Sequence, residues 1–226
     1  EAGKVVVEEI PMRIQQLLDD VEQLMKRRAD SGNLTLENVR LTEIPVTIVS
    51  DPNRIRQILV NLVGNAIKFT KSGKVTIATR LLKKSEIQPQ LEISVSDTGI
   101  GMTVEQMERL FSPFTQADSS TTRKYGGTGL GLCISKSFAE LLGGSLTVQS
   151  TAGVGSTFTL TLPIQLTSDA EFLPVGVEPV IAAQEKSRAA EERPSVPLAG
   201  CQILLVEDGP DNQALIAFHL RRAGAT

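Results

Sequence analysis

From Ile14 to about Met25 the apolar residues Ile14, Leu17, Leu18, Val21, Leu24 and Met25 recur at three and four positions. That is the spacing of one helix face, and Ser31-Gly32-Asn33 closes the segment. Upstream, residues 4–9 read as a short strand, and Pro11 suits the first turn of the helix. Residues 46–50 alternate as a strand. Asp51 is a good N-cap with Pro52 at the first helical position, which opens a second helix running to about Phe69. Residues 73–82 and 91–96 alternate and are separated by a polar turn, the pattern of a hairpin. Thr103 and Gln106 form a capping box for a short helix over 103–111. Residues 129–142 are helical and stop at Gly143-Gly144. Two more strands, 145–150 and 156–163, flank a glycine turn.

Two stretches break this pattern. Residues 112–128 are rich in Ser, Thr and Gly and have no period; long loops of this kind inside compact domains carry function. After Leu166 the composition shifts to Pro, Ala, Glu and Ser, so 167–199 reads as a flexible linker. Apolar order returns at 201–208 ("CQILLVED"), a buried-strand run ending in two acids, followed by a helix over 211–223. One strand and one helix cannot bury a core, so 200–226 is expected to be loosely held. The organisation is a domain over 1–166, the linker, and an incomplete segment over 200–226.

Composition narrows the function. With 41% hydrophobic and 22% charged residues and a formal net charge of -3, the chain offers no basic surface for nucleic acid. No apolar run approaches the roughly 18 residues of a membrane span. A fragment that is not membrane-bound and is cytoplasmic is expected, whatever anchors the parent. Cys133, Cys201 and His219 stand too far apart for a zinc site or a disulfide framework. The chain begins at Glu1 with no signal peptide and reads as a piece of a longer protein.

Three patterns carry candidate chemistry. On the helix 52–69, Asn61, Asn65 and Lys68 share one stripe, which Arg54 and Gln57 extend backwards. Amide oxygens suit a hard cation such as Mg²⁺, and a lysine supplies a point charge for phosphate. In "DTGIGM" (97–102) a strand delivers Asp97, able to accept a hydrogen bond from an exocyclic amine. Gly99 and Gly101 follow and remove Cβ where a flat ring could approach. In "GGTGLGL" (126–132) four glycines precede and begin a helix whose free N–H groups form an anion site. Together the two motifs hold six of the 18 glycines in 13 positions. A Rossmann site is rejected, because it needs a strand running directly into the glycines. Arg123 and Lys124, in the preceding loop, can close over phosphates as a lid. Each pattern also has a plain structural reading: an amphipathic helix, a turn, a helix start, a solvated loop.

In this order the motifs resemble the ATP-binding catalytic domain of a sensor histidine kinase, within the wider gyrase, Hsp90 and MutL ATPase family. "NLVGNAIKFT" resembles the N box, "DTGIGM" the G1 box, "FSPFTQ" (111–116) the F box, "GGTGLGL" the G2 box and "GVGSTF" (153–158) the last glycine motif. The tail "CQILLVEDGPDNQ" is similar to the start of a response-regulator receiver, which gives the layout of a hybrid kinase. The resemblance implies a two-layer α/β sandwich of the Bergerat type: a mixed sheet with helices on one face. It implies ATP and Mg²⁺ as ligands. Asp97 would bind the adenine amine, with Gly99, Ile100, Gly101 and Thr157 around the base and Phe69 packing on it. Asn65 would bind Mg²⁺ with Asn61 beside it, and Lys68 and Arg123 would touch phosphates. Gly127, Gly129 and Gly131 would form the lid hinge and present N–H groups to phosphate, with Thr128 and Leu130 among the nucleotide-binding residues. Glu207 and Asp208 would be receiver Mg²⁺ ligands.

Asn61 stands where ATP-hydrolysing relatives carry a glutamate. An amide cannot act as a base, which favours transfer to a protein acceptor. The implied partners are an upstream histidine phosphoacceptor and dimerisation domain and the downstream receiver. His219 is in the wrong place to be that acceptor. A stand-alone ATPase and an ATP-independent scaffold of the same fold remain the alternatives.

Overall fold

The computed structural model describes residues 7–82, 89–112, 130–166, 170–177, 198, 201–205, 213, 216–218, 220–221 and 223–225. The chain divides into two units, Glu1–Val177 and Glu178–Thr226.

In the first unit β1 (Ile10–Arg13) leads into α1 (Ile14–Ser31), then β2 (Leu34–Arg40), β3 (Ile44–Pro45), β4 (Thr47–Ser50) and α2 (Pro52–Phe69). The chain continues through β5 (Gly73–Leu82), β6 (Gln90–Asp97), α3 (Val104–Arg109) and α4 (Gly131–Leu141). It ends with β7 (Ser145–Thr151), β8 (Gly155–Pro163), β9 (Phe172–Leu173) and β10 (Gly176–Val177). The main sheet has the order β10-β2-β5-β6-β8-β7. β2 and β5 are parallel and every other neighbouring pair is antiparallel.

Period two puts Val75, Ile77 and Leu81 of β5, Leu91, Ile93 and Val95 of β6, and Phe158, Leu160 and Leu162 of β8 on one buried face. α2 covers that face with Ile55, Ile58, Leu59, Leu62, Val63 and Ile67, all buried. α1 lies against β2, and α4 against β7 and β8. The architecture is a two-layer α/β sandwich: a mixed sheet with its helices on one face.

Several elements differ from the sequence expectation. Of the strand expected over 4–9, residues 7–9 are not in a strand and 4–6 lie outside the described residues; Pro11 lies inside β1, opposite Val49. Among the described residues β1 pairs with β4 alone, so it is an edge strand, where proline is tolerated. β2 is absent from the pattern because two of its inward positions are Asn38 and Arg40, both buried. Asn38 Nδ2 donates to Asp19 Oδ1 at 3.1 Å, and Arg40 Nε donates to the Pro174 carbonyl at 2.8 Å. That carbonyl belongs to the stretch expected to be linker. There β9 pairs with β3 and β10 adds to the edge of β2, so the first unit extends past 166 to Val177.

In the second unit, residues 201–205 are not in a strand, and Leu204 is 90% exposed. No described strand pairs with them, so their apolar side chains lack the neighbours that a buried strand requires. Residues 213, 216–218, 220 and 221 are helical.

Candidate functional site

Asp51 starts α2 by accepting the Asn53 and Arg54 N–H groups on Oδ1, each at 3.0 Å, as an N-cap carboxylate does. The helix turns its apolar face to the sheet and its polar stripe toward α4. The Arg54 guanidinium lies over the Phe138 ring, 4.8 Å from its centroid. One helical stretch further on, Asn61 Nδ2 donates to Ser135 Oγ at 2.9 Å. The two helices therefore run antiparallel, and α4 begins beside Asn61. A Cβ at Gly131 would lie 2.5 Å from Asn61 Oδ1, so any larger residue there would displace the Asn61 amide. Asn65 Nδ2 donates to Asn61 Oδ1 at 3.3 Å. Asn65, Lys68 and Phe69 continue along α2 past the beginning of α4, and Lys68 Nζ lies over the Phe69 ring at 5.1 Å.

Asp97 ends β6, and its Oδ1 accepts the Gly99 N–H at 2.8 Å. Burial pushes its carboxyl above the usual range, while the Gly99 and Ser156 amides act in the opposite direction. The loop after it is stapled on two sides. Ile100 N–H donates to the Phe69 carbonyl at 3.3 Å, Gly153 N–H to the Ile100 carbonyl at 2.7 Å, and Met102 N–H to Ser150 Oγ at 2.8 Å. This changes the reason for the glycines. A Cβ on Gly99 would overlap the Phe69 carbonyl, and one on Gly101 (φ 62) the Thr151 carbonyl. The positions they leave bare lie against the chain's own backbone.

The strand register separates Thr157 from Asp97. Asp97 pairs with Ser156, whereas Ser96 pairs with Thr157. The Ser96 and Thr157 hydroxyls meet at 2.9 Å on the face away from the helices. Ser156, whose side chain meets Ser150 Oγ at 3.0 Å, shares the face of Asp97. Parity along 156–163 carries this signal, because Phe158, Leu160 and Leu162 mark the buried face. The sequence reading missed three serines around the candidate residues: Ser135, which meets Asn61, Ser150, which holds Met102, and Ser156, beside Asp97.

Leu130 stands at the N-cap of α4, and its carbonyl accepts the Ile134 N–H at 2.9 Å. Phe111, the first residue of the expected F box, lies under Lys136 Nζ at 5.0 Å. Arg123, Gly127, Thr128, Gly129, Glu207, Asp208 and His219 lie outside the described residues, as does 113–116. Among the described residues no three His, Cys, Asp or Glu side chains gather as a metal site, and no helix is long and apolar enough to cross a membrane.

Residues 50–166 match the family described as histidine kinase-, DNA gyrase B-, and HSP90-like ATPase. Sensor histidine kinase GacS of Pseudomonas protegens is 44% identical over 175 residues, 77% of this chain and 19% of that protein. Signal transduction histidine-protein kinase BarA of Shigella flexneri is 35% identical over 211 residues, 93% of this chain and 22% of its own length. Full-length ShkA in complex with AMPPNP superposes with a TM-score of 0.63 at 27% identity, covering 99% of this chain and 41% of that one. The catalytic domain of histidine kinase ThkA gives a TM-score of 0.58 at 27% identity, covering 69% and 95%. The chain thus spans about a fifth of the curated relatives it matches. A helix-covered mixed sheet, an amide stripe on α2 facing the start of α4, and a carboxylate ending β6 are arranged here on a sequence that, with these relatives, belongs to the family of histidine kinase-, gyrase B- and HSP90-like ATPases.

Proposed function

We propose that this chain is the catalytic domain of a hybrid sensor histidine kinase, which binds Mg-ATP and delivers its γ-phosphate to a histidine on an upstream phosphoacceptor domain. Asp97 accepts the adenine amine, with Ser156 on its face of the sheet and Phe69 beside the base. Lys68, the start of α4 at Leu130 and Gly131, and Arg123 face the phosphates. Gly127, Thr128 and Gly129 hinge the lid. The Asn65 amide oxygen fits a Mg²⁺ ligand because its nitrogen is already committed to Asn61; bound there, the ion neutralises phosphate charge.

The observation that carries the reading is Asn61. Its amide is hydrogen-bonded at both ends, to Ser135 and to Asn65, and it offers no base to activate water. Phosphoryl transfer to a histidine needs none: the imidazole nitrogen forms the new N–P bond, the bond to the bridging oxygen breaks, and ADP leaves. Residues 200–226 are read as the start of a receiver, with Glu207 and Asp208 as its Mg²⁺ acids.

The test is calorimetric titration with ATP, with and without Mg²⁺, beside Asn65→Ala, followed by mixing with a histidine hairpin domain. Mg²⁺-dependent binding that Asn65→Ala weakens, and label passing to the hairpin, support the proposal. Multiple-turnover phosphate release without an acceptor points to a stand-alone ATPase. No binding at millimolar ATP points to a scaffold.

A further inference from the structure

The start of α4 does more than close the cleft. Ser135, buried at 2% exposure, accepts the Asn61 Nδ2 hydrogen at 2.9 Å from a position 74 residues away in sequence. Asn61 Oδ1 in turn accepts from Asn65 Nδ2 at 3.3 Å. A side-chain amide has one accepting end and one donating end. The Ser135 hydroxyl can donate or accept, and it meets the Asn61 nitrogen here as an acceptor. With Ser135 Oγ taking the Asn61 nitrogen, the Asn61 oxygen faces Asn65. With that oxygen taking the Asn65 nitrogen, the Asn65 oxygen is left at the opposite corner of its amide, and only this atom can bind a hard cation.

We propose that Ser135 is a positioning residue for the divalent-cation site, anchoring the Asn61 amide against which Asn65 is held. Gly131 supports the relay. Its bare backbone sits against Asn61 Oδ1, where a Cβ would come within 2.5 Å, and this leaves Asn61 little room to swing out. The relay also ties the cation ligand to α4, so a movement of the start of α4 reorients Asn65. This inference rests on the reading of the cleft as a Mg-ATP site.

The experiment uses the full chain. ATP binding is measured by calorimetry across a Mg²⁺ series for the unaltered chain, Ser135→Ala, Asn61→Ala, the double variant and Asn65→Ala, with melting curves to check folding. Ser135→Ala is expected to raise the Mg²⁺ needed for half-maximal enhancement by about 10-fold, the lower end of the range for loss of an outer partner of a metal ligand. Mg²⁺-free ATP affinity is expected to stay unchanged. Asn61→Ala is expected to give the same shift, and the double variant no more than Asn61→Ala alone, because the two groups act in series. If Ser135→Ala melts early, the near-isosteric Ser135→Cys, a weak acceptor, is expected to shift the Mg²⁺ dependence in the same direction. An unaltered Mg²⁺ dependence in the serine variants, additive effects in the double variant, or equal loss with and without Mg²⁺ overturns the inference while the cleft reading stands. A chain whose ATP binding ignores Mg²⁺ and Asn65→Ala overturns both.

Discussion

Asp97 is subject to two opposed demands. Burial raises its carboxyl above the usual range, so the folded state favours the protonated form. The stability linked to it is fully present below about 3.9, the ordinary aspartate value. It is lost as pH rises through the raised folded value. At neutral pH the ionised group destabilises the fold while supplying the acceptor that the proposed function assigns to adenine. Asp97→Asn is therefore expected to weaken ATP binding by about 1.5–3 kcal/mol while raising the melting temperature of the unliganded chain at pH 7. That gain is expected to vanish as the pH is lowered toward 4. Calorimetry and melting curves at several pH values check both halves. The glycines give a second test at this scale. Gly101 has φ 62 and no room for a Cβ, whereas Gly153 has φ 80 and nothing within 4 Å of that position. Gly153→Ala should cost only the left-handed strain, about 1–2 kcal/mol. Gly101→Ala adds overlap with Thr151 and should cost about 3 kcal/mol or more. Urea unfolding of the two variants measures the difference.

Between elements, the contact with most at stake is the Arg56–Asp20 pair. It joins α2 to α1 at 3.0 Å with both side chains about nine-tenths buried. Low dielectric strengthens the attraction but also penalises either charge left alone. Arg56→Met is expected to destabilise the fold by about 3–5 kcal/mol, and adding Asp20→Leu to recover much of it; denaturant titration of the single and double variants tests this. α3 has less to lose. Its capping box is complete, with Thr103 Oγ1 accepting the Gln106 N–H and Gln106 Oε1 accepting the Thr103 N–H. None of its residues is buried, so the element is held by local bonds more than by packing.

For the whole first unit, the return of the chain at 170–177 matters more than its composition implies. Ending the protein at residue 166 would leave β2 as a bare sheet edge and remove the Pro174 carbonyl from the buried Arg40 guanidinium. The expected cost is about 2 kcal/mol, read as a melting point lower by a few degrees. A chain ending at Val177 keeps every described residue of the cleft and is expected to retain its Mg-ATP affinity. In either chain, ligand at 100 times its Kd should stabilise the fold by about 2.7 kcal/mol, which thermal shift measures.

Periodicity and capping chemistry are local, and they were legible. The bounds of α2, the β5–β6 hairpin, the capping box of α3 and the stop of α4 follow from residues within a few positions of one another. The same locality placed Asn61 and Asn65 on one stripe and Asp97 at a strand end. Partners far along the chain decided the rest. β2 holds Asn38 and Arg40 inside because Asp19 and the Pro174 carbonyl wait for them, 19 and 134 residues away. The glycines after Asp97 are needed because Phe69 and Thr151 bring backbone against them. Sheet register, which slips by one residue at the cost of a whole face, put Ser156 rather than Thr157 beside Asp97. Ser135 reaches Asn61 only because α4 lies antiparallel on α2. A window of sequence encodes which face a residue takes; what stands opposite that face is set by packing across the fold.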